Sequence, residues 1–319
     1  DAAAQVLTIP TLTYGAAGQI STNGADVFTA TALTRGNTFN SVNYGTLTLL
    51  PSALANLGVS ERVTTGTAQT VVNGTLATPS VFARLDGVNQ PATFVTFAGG
   101  TGFSPATYTL GSNLNSTGVA TDLTDVGITG DTLSAAVTDV YALRTAGNIA
   151  VGTGSSLRIG NGGLILNPGT GNAPISIAPN LLFGTGSGAL LTEAIVYAAD
   201  TTGASVLSGT LTARDFTKTG PGTLEIAGAS NSLSTNATRL PVVSVQNGTL
   251  RFASSAALFS NANRTLAVNN VLGDFVLNVN EAGVLDLNGV NTSLGGLSGN
   301  GTITSGVAGP VNLAVKNGF

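Results

Sequence analysis

The side chains of this chain that could do chemistry are few and mostly acidic. The densest acidic group is Asp122, Asp125 and Asp131, within the stretch TDLTDVGITGD. Carboxylates in an oxygen-rich loop are calcium ligands, so these three are the candidate metal-binding residues. Neither a Gly-Gly-x-Gly-x-Asp calcium repeat nor an EF-hand loop accompanies them, and a solvated loop or turn cap is the competing reading. Paired carboxylates can cleave glycans. The pairs on offer are Asp200 with Asp215, and Asp274 with Glu281 and Asp286. The chain holds only 15 acids in 319 residues, mostly single and on strand-like runs, which argues against a catalytic centre. Lys218 reads as a surface residue rather than a base. Tyr14, Tyr44, Tyr108, Tyr141 and Tyr197 could stack on sugars, but they are dispersed and read as packing at corners.

The absences carry as much weight. His, Cys, Met and Trp do not occur. Without His and Cys the commonest general base, the thiol nucleophile and the usual zinc ligands are missing. The expectation is a protein that is no enzyme and needs no cofactor, with calcium as the one candidate ion. There are 11 basic against 15 acidic residues, too few cations to neutralise a run of phosphates, so nucleic acid is not an expected partner. No apolar run is long enough to cross a bilayer as a helix. Charged residues make up 8% of the chain, where about 25% is usual. Solubility therefore falls to Thr, Ser and Asn, while 42% hydrophobic residues can build a core. Loss of Cys and Met removes the oxidisable side chains, which suits a long-lived extracellular material. A chain without Met is expected to start at a processed end, here Asp1, behind a removed signal sequence.

The elements that must position these residues read as strands. Alternation recurs in Thr46-Leu47-Thr48-Leu49, Ser156-Leu157-Arg158-Ile159 and Val284-Leu285-Asp286-Leu287, each a run with one buried face. Asn-Gly turns punctuate the runs, at Asn23, Asn73, Asn161, Asn247, Asn288, Asn300 and Asn317. Asn-Gly is also a hairpin signal, so an antiparallel sandwich competes with a parallel solenoid. Two features favour the solenoid. No helical crossovers separate the strands, and short units repeat: Val72-Asn73-Gly74-Thr75-Leu76 recurs as Gln246-Asn247-Gly248-Thr249-Leu250 and, in part, as Asn300-Gly301-Thr302-Ile303. Leu224, Ile226, Leu250, Leu285 and Leu287 are then interior. Pro51 to Gly58 reads as one helical turn closed by glycine. Residues 1–118 form a less regular β-rich part, possible as a continuation of the solenoid, and 119–319 the regular solenoid.

The run Asp215-Phe216-Thr217-Lys218-Thr219-Gly220-Pro221-Gly222-Thr223-Leu224-Glu225-Ile226-Ala227-Gly228, followed by Val243-Ser244-Val245-Gln246-Asn247-Gly248-Thr249-Leu250, resembles the autotransporter-associated β-strand repeat. Weaker resemblances extend it over about 130–319. The resemblance implies an all-β, right-handed parallel β-helix in a secreted or surface protein, a scaffold or adhesin. Coils of about 20 residues would make a rod of about 50–70 Å at the spacing of parallel strands. No translocator barrel follows within this sequence.

The expected function is a non-enzymatic extracellular structural protein, the subunit of a fibre or surface layer at the cell surface. Its expected partners are copies of itself, head to tail. The alternative is an adhesin-like passenger domain that binds surface glycans. The assembly residues are those of two strand-like, nearly uncharged ends: Ala2, Val6, Leu7 and Ile9, and Val311, Leu313 and Val315. Unpaired strand edges at such ends can pair across subunits.

Overall fold

The computed structural model describes residues 4–36, 38–39, 42–110, 114, 120–152, 155–234, 239–261 and 275–316. The chain is mainly β, and the longer sheets are parallel. From Thr109 onward, successive strands fall in turn on three faces, and each pairs in parallel with the strand one coil further on. Face one runs Leu123–Val126, Ala142–Thr145, Gly163–Leu166, Glu193–Ala198 and Asp215–Thr219. Face two runs Asp131–Leu133, Ile149–Val151, Ser176–Ile177, Ala204–Leu207 and Thr223–Ile226. Face three runs Val137–Val140, Ser156–Ile159, Asn180–Phe183, Leu211–Ala213 and Ser232–Leu233. Val242–Phe252 and Val276–Asp286 run unbroken round the corner between faces one and two, which joins those faces into one 15-stranded sheet.

Alternation explains faces two and three. In Ser156–Ile159, Ala204–Leu207 and Thr223–Ile226, every second side chain is buried and the others are half-buried. Leu224, Ile226, Leu250, Leu285 and Leu287 all lie inside, in one continuous core. Within that core Phe216, Phe252 and Phe275 pack around Phe259, with ring centroids 5.2–6.1 Å from its own. The step between paired residues varies from 15 (Thr109 to Thr124) to 35 (Asn247 to Ala282). The expected coil of about 20 residues thus lies in the lower part of the range, because loops at the corners absorb extra chain in most coils. Fewer strands fit in consequence, and the coil is about 40 Å long at the usual spacing of parallel strands, shorter than the sequence implied.

Residues 4–105 do not extend this coil from its end; they lie along its side. Val6–Tyr14, Val27–Arg35 and Arg62–Thr65 form one parallel sheet. Ala17–Ser21, Thr46–Leu50 and Val81–Arg84 form a second, which Ala92–Ala98 and Gly102–Pro105 complete antiparallel. Asn73-Gly74 does make a hairpin here, joining Val71–Val72 to Thr75–Leu76 with φ of 49° and 82°. The expected helical turn is a 3-10 turn at Leu54–Asn56. The N-terminal unit covers the outer side of face one, so strands there are buried on both sides: every residue of Gly163–Leu166, Glu193–Ala198 and Asp215–Thr219 is buried. Among the described residues no helix is long and apolar enough to cross a membrane.

Candidate functional site

The seam between the N-terminal unit and face one gathers most of the buried polar chemistry. Its apolar part is Phe82 and Phe94 packed on Ile165, Ile195 and Tyr197, with the Phe82 and Tyr197 rings 5.0 Å apart. At one end the Arg144 guanidinium lies 3.8 Å from the centre of the Tyr108 ring. The Asn167 amide imitates a strand edge. Its Oδ1 accepts the Ala92 N–H at 2.8 Å, and its Nδ2 donates to the Ala92 carbonyl at 3.0 Å.

Two ion clamps close the seam. Arg35, from the N-terminal unit, donates both Nη groups to Glu193 at 2.7 and 2.9 Å and its Nε to the Gly45 carbonyl at 2.7 Å. Thr217 donates to the same carboxylate at 2.5 Å. One strand on, Arg239 grips Asp215 at 2.8 and 2.6 Å, and the Val242 N–H and Tyr44 hydroxyl add bonds at 2.9 and 3.3 Å. Burial and the Asp215 charge push the Tyr44 phenol far up. Burial opposes the charge of Arg35, but Glu193 outweighs it and raises the guanidinium. Glu193 and Asp215 are direct register partners on adjacent strands, both buried. Two neighbouring carboxylates could serve as an acid–base pair. Here each is gripped in bidentate fashion by its own arginine and shut away from solvent, which is the geometry of a fastening.

The other charges follow the same habit. Asp125 with Arg144, Asp139 with Arg158 and Glu225 with Arg251 are register partners on adjacent strands and form ion pairs. Such directly opposed pairs stabilise a sheet. The candidate calcium ligands are thus drawn apart. Asp125 is committed to Arg144, and Asp131 accepts the Leu114 and Thr132 amides. Among the described residues no three acidic groups are gathered where a metal could sit. Asp200 is buried, but its Oδ1 is held by Thr202, and no described contact joins it to Asp215. Asp274 lies outside the described residues; Glu281 is exposed, and Asp286 binds the amides of Asn288 and Gly306.

Lys218 requires a correction. It is no surface residue: it is fully buried, and its Nζ donates to three backbone carbonyls. It shares the parity of Phe216 and stands between Val196 and Val245 on the inner side of its strand, so solvent does not reach it. Of the tyrosines, Tyr14, Tyr44 and Tyr197 are buried and Tyr108 and Tyr141 half-buried, with no exposed row. Of the assembly residues, Ala2 lies outside the described residues. Val6 and Leu7 are exposed at 72% and 54% on an edge strand, with Ile9 half-buried. Val311 and Leu313 are half-buried against the coil core, and Val315 is exposed. The two groups are not the two ends of one coil, because Val6–Tyr14 belongs to the docked unit. At the coil's first turn Leu114 is buried in the core.

A cavity of about 360 Å³ opens beside the Arg35 clamp. Its walls combine neutral hydrogen-bonding groups, Tyr14, Gln69, Thr70, Thr78 and Ser80, with Leu33 and Leu76. The Tyr14 hydroxyl and Ser80 Oγ are hydrogen-bonded at 3.0 Å, and the Arg35 charge there is balanced by Glu193. The sequence offered little sign of this site or of the clamps. One signal was present: Glu193 opens a strand that is apolar on both parities, Ala194-Ile195-Val196-Tyr197-Ala198-Ala199, the pattern of strands buried on both faces, whereas the strand of Asp215, Phe216-Thr217-Lys218-Thr219, carries no such run. No family model, no curated protein and no solved structure matches this chain.

Proposed function

We propose that this chain is a non-enzymatic structural protein of the cell exterior, a right-handed parallel β-helix with a docked N-terminal unit, associating with copies of itself into a fibre or surface layer. The right hand is the one that strand twist favours for parallel crossovers. The resemblance of 215–250 to the autotransporter-associated repeat agrees with both the winding and the location. The observation that carries the reading is the disposition of charge. The buried carboxylates are turned to arginines and backbone amides that fasten the N-terminal unit to the coil (Glu193), one coil to the next (Asp215) or a turn to itself (Asp200), and reactive pairs facing a cleft are not found among the described residues.

Open strand edges support self-association. Among the described residues Val6–Tyr14 pairs only with Val27–Arg35, and in the last described coil Gly296–Ser298, Thr302–Thr304 and Leu313–Val315 each pair on one side. Light scattering and electron microscopy over a concentration series test the reading. Assemblies that shorten when residues 1–10 are deleted support it; a chain that stays monomeric at the highest concentration reached refutes self-association.

A second reading, glycan binding, is favoured by the cavity beside Arg35. Its volume suits a small ligand and its lining a neutral hydroxylated one. Titration with neutral mono- and disaccharides, compared with Ala77→Trp, which fills the cavity, separates the two readings.

A further inference from the structure

We propose that the carbonyl oxygens of Gly220, Gly222 and Asn247 form a monovalent-cation site, in which the Lys218 ammonium is the resident ion. Three donors meet three acceptors: Nζ lies 2.6 Å from the Gly220 oxygen, 2.6 Å from the Gly222 oxygen and 2.7 Å from the Asn247 oxygen. An ammonium group has three N–H bonds, so its hydrogen-bonding capacity is used up. No carboxylate pairs with it among the described residues. Its charge is therefore met by carbonyl dipoles alone, the way carbonyl rings replace the hydration shell of a potassium ion.

The location says what the site is for. Lys218 stands in an inward column whose register neighbours are Val196 on the preceding coil and Val245 on the next. A buried charge in an apolar column is expensive unless fully hydrogen-bonded. Gly220 and Gly222 belong to the corner after the lysine's own strand, and Asn247 to the same corner one coil later. The ion thus ties the turns of two successive coils. Gly248 leaves room for it: a Cβ there would stand 2.5 Å from Nζ and from both glycine oxygens. Burial alone pushes the ammonium well below the usual lysine range. The cage acts the other way, because only the charged form can satisfy all three carbonyls.

Lys218 and Lys316 are the only lysines, and Lys316 is exposed, so labelling lysine with ¹⁵N gives two distinguishable Nζ signals. In the intact protein at neutral pH, Lys218 should appear as a slowly exchanging ammonium; a neutral amine would overturn the proposal. The second arm is Lys218→Ala, which empties the cage, melted in chlorides of ammonium, potassium, sodium and lithium at one ionic strength. Ammonium and potassium should restore several degrees of the lost melting temperature, the smaller sodium and lithium ions far less. Lys218→Met, which fills the stem space without charge, should show no such recovery. Equal recovery in all four salts, or an alanine variant as stable as the parent, refutes the assignment. If the alanine variant does not fold, the NMR arm still decides.

Discussion

Replacing Arg35 by Met tests whether the N-terminal unit is fastened by charge. Arg35 is 14% and Glu193 5% exposed, so the pair is almost fully desolvated. Methionine keeps most of the apolar stem but removes three hydrogen bonds, two to Glu193 and one to Gly45. Glu193 then stays buried with Thr217 as its remaining described partner. Breaking one side of a buried pair costs about 3–5 kcal/mol, much of it the penalty of the stranded charge. The loss should fall first on docking, because Arg35 belongs to the N-terminal unit and Glu193 to the coil. The assay is built in. The chain has no Trp, and Tyr14, Tyr44 and Tyr197 are buried at or beside the seam, so tyrosine emission reports seam opening. Circular dichroism reports the coil. In urea, Arg35→Met should move the tyrosine transition to lower concentration, ahead of the dichroism transition. Adding Glu193→Gln should recover much of the loss, since the stranded charge is gone. A single variant that loses less than about 1 kcal/mol, the range of a solvated pair, refutes the clamp. So does a double variant no better than the single.

Glu61 is buried and holds Thr22, the Ser52 amide and Asn56 at 2.7, 2.9 and 3.1 Å, together with the Ser52 hydroxyl. Glu61→Gln forces an amide N–H against those donors, and a loss of about 1–3 kcal/mol is expected, with faster hydrogen exchange around Leu54–Asn56. Burial would raise the Glu61 carboxyl, but bonds from Ser52, Thr22 and Asn56 outweigh it and hold it low, so its contribution should persist in mild acid and fade as pH falls through that lowered value. At the alkaline end, burial pushes the Tyr197 phenol up to about 12 and raises that of Tyr44. The unfolded phenols ionise first, so stability should hold to about pH 10 and then fall by about 1.4 kcal/mol per pH unit per tyrosine, less steeply in Tyr197→Phe. Gly248→Ala meets both a φ of 65° and three contacts at 2.5 Å, whereas Gly74→Ala, at φ 82°, has open space. The Gly74 variant should lose about 1–2 kcal/mol for backbone alone, and the Gly248 variant clearly more in the same urea titration.

How much of this was legible from the sequence depends on whether the cause is local. Alternation placed Leu224, Ile226, Leu250, Leu285 and Leu287 inside, because a strand with one wet face must alternate. On face one residue type misled where parity did not. In Asp215-Phe216-Thr217-Lys218-Thr219 the lysine shares the parity of Phe216 and points into the coil, but its charge makes it read as solvated. Nothing within five residues states that a carbonyl from Asn247 will complete its shell. The acids show the same limit. Asp125 and Asp131 stand close in sequence and invite a calcium reading, but Asp125 finds Arg144 because one coil happens to take 19 residues there, the step from Leu123 to Ala142.

By itself, then, the sequence determined the material of this protein. Strands and tight turns follow from side-chain period and backbone freedom, which act over a few residues. The shortage of reactive side chains follows from composition alone. Only the tertiary structure decided which side of each strand is dry, which arginine meets which carboxylate, and that the first hundred residues dock along the coil instead of lengthening it. Those outcomes depend on register between coils of unequal length. Register is a sum over loops, and no single stretch of the chain carries it.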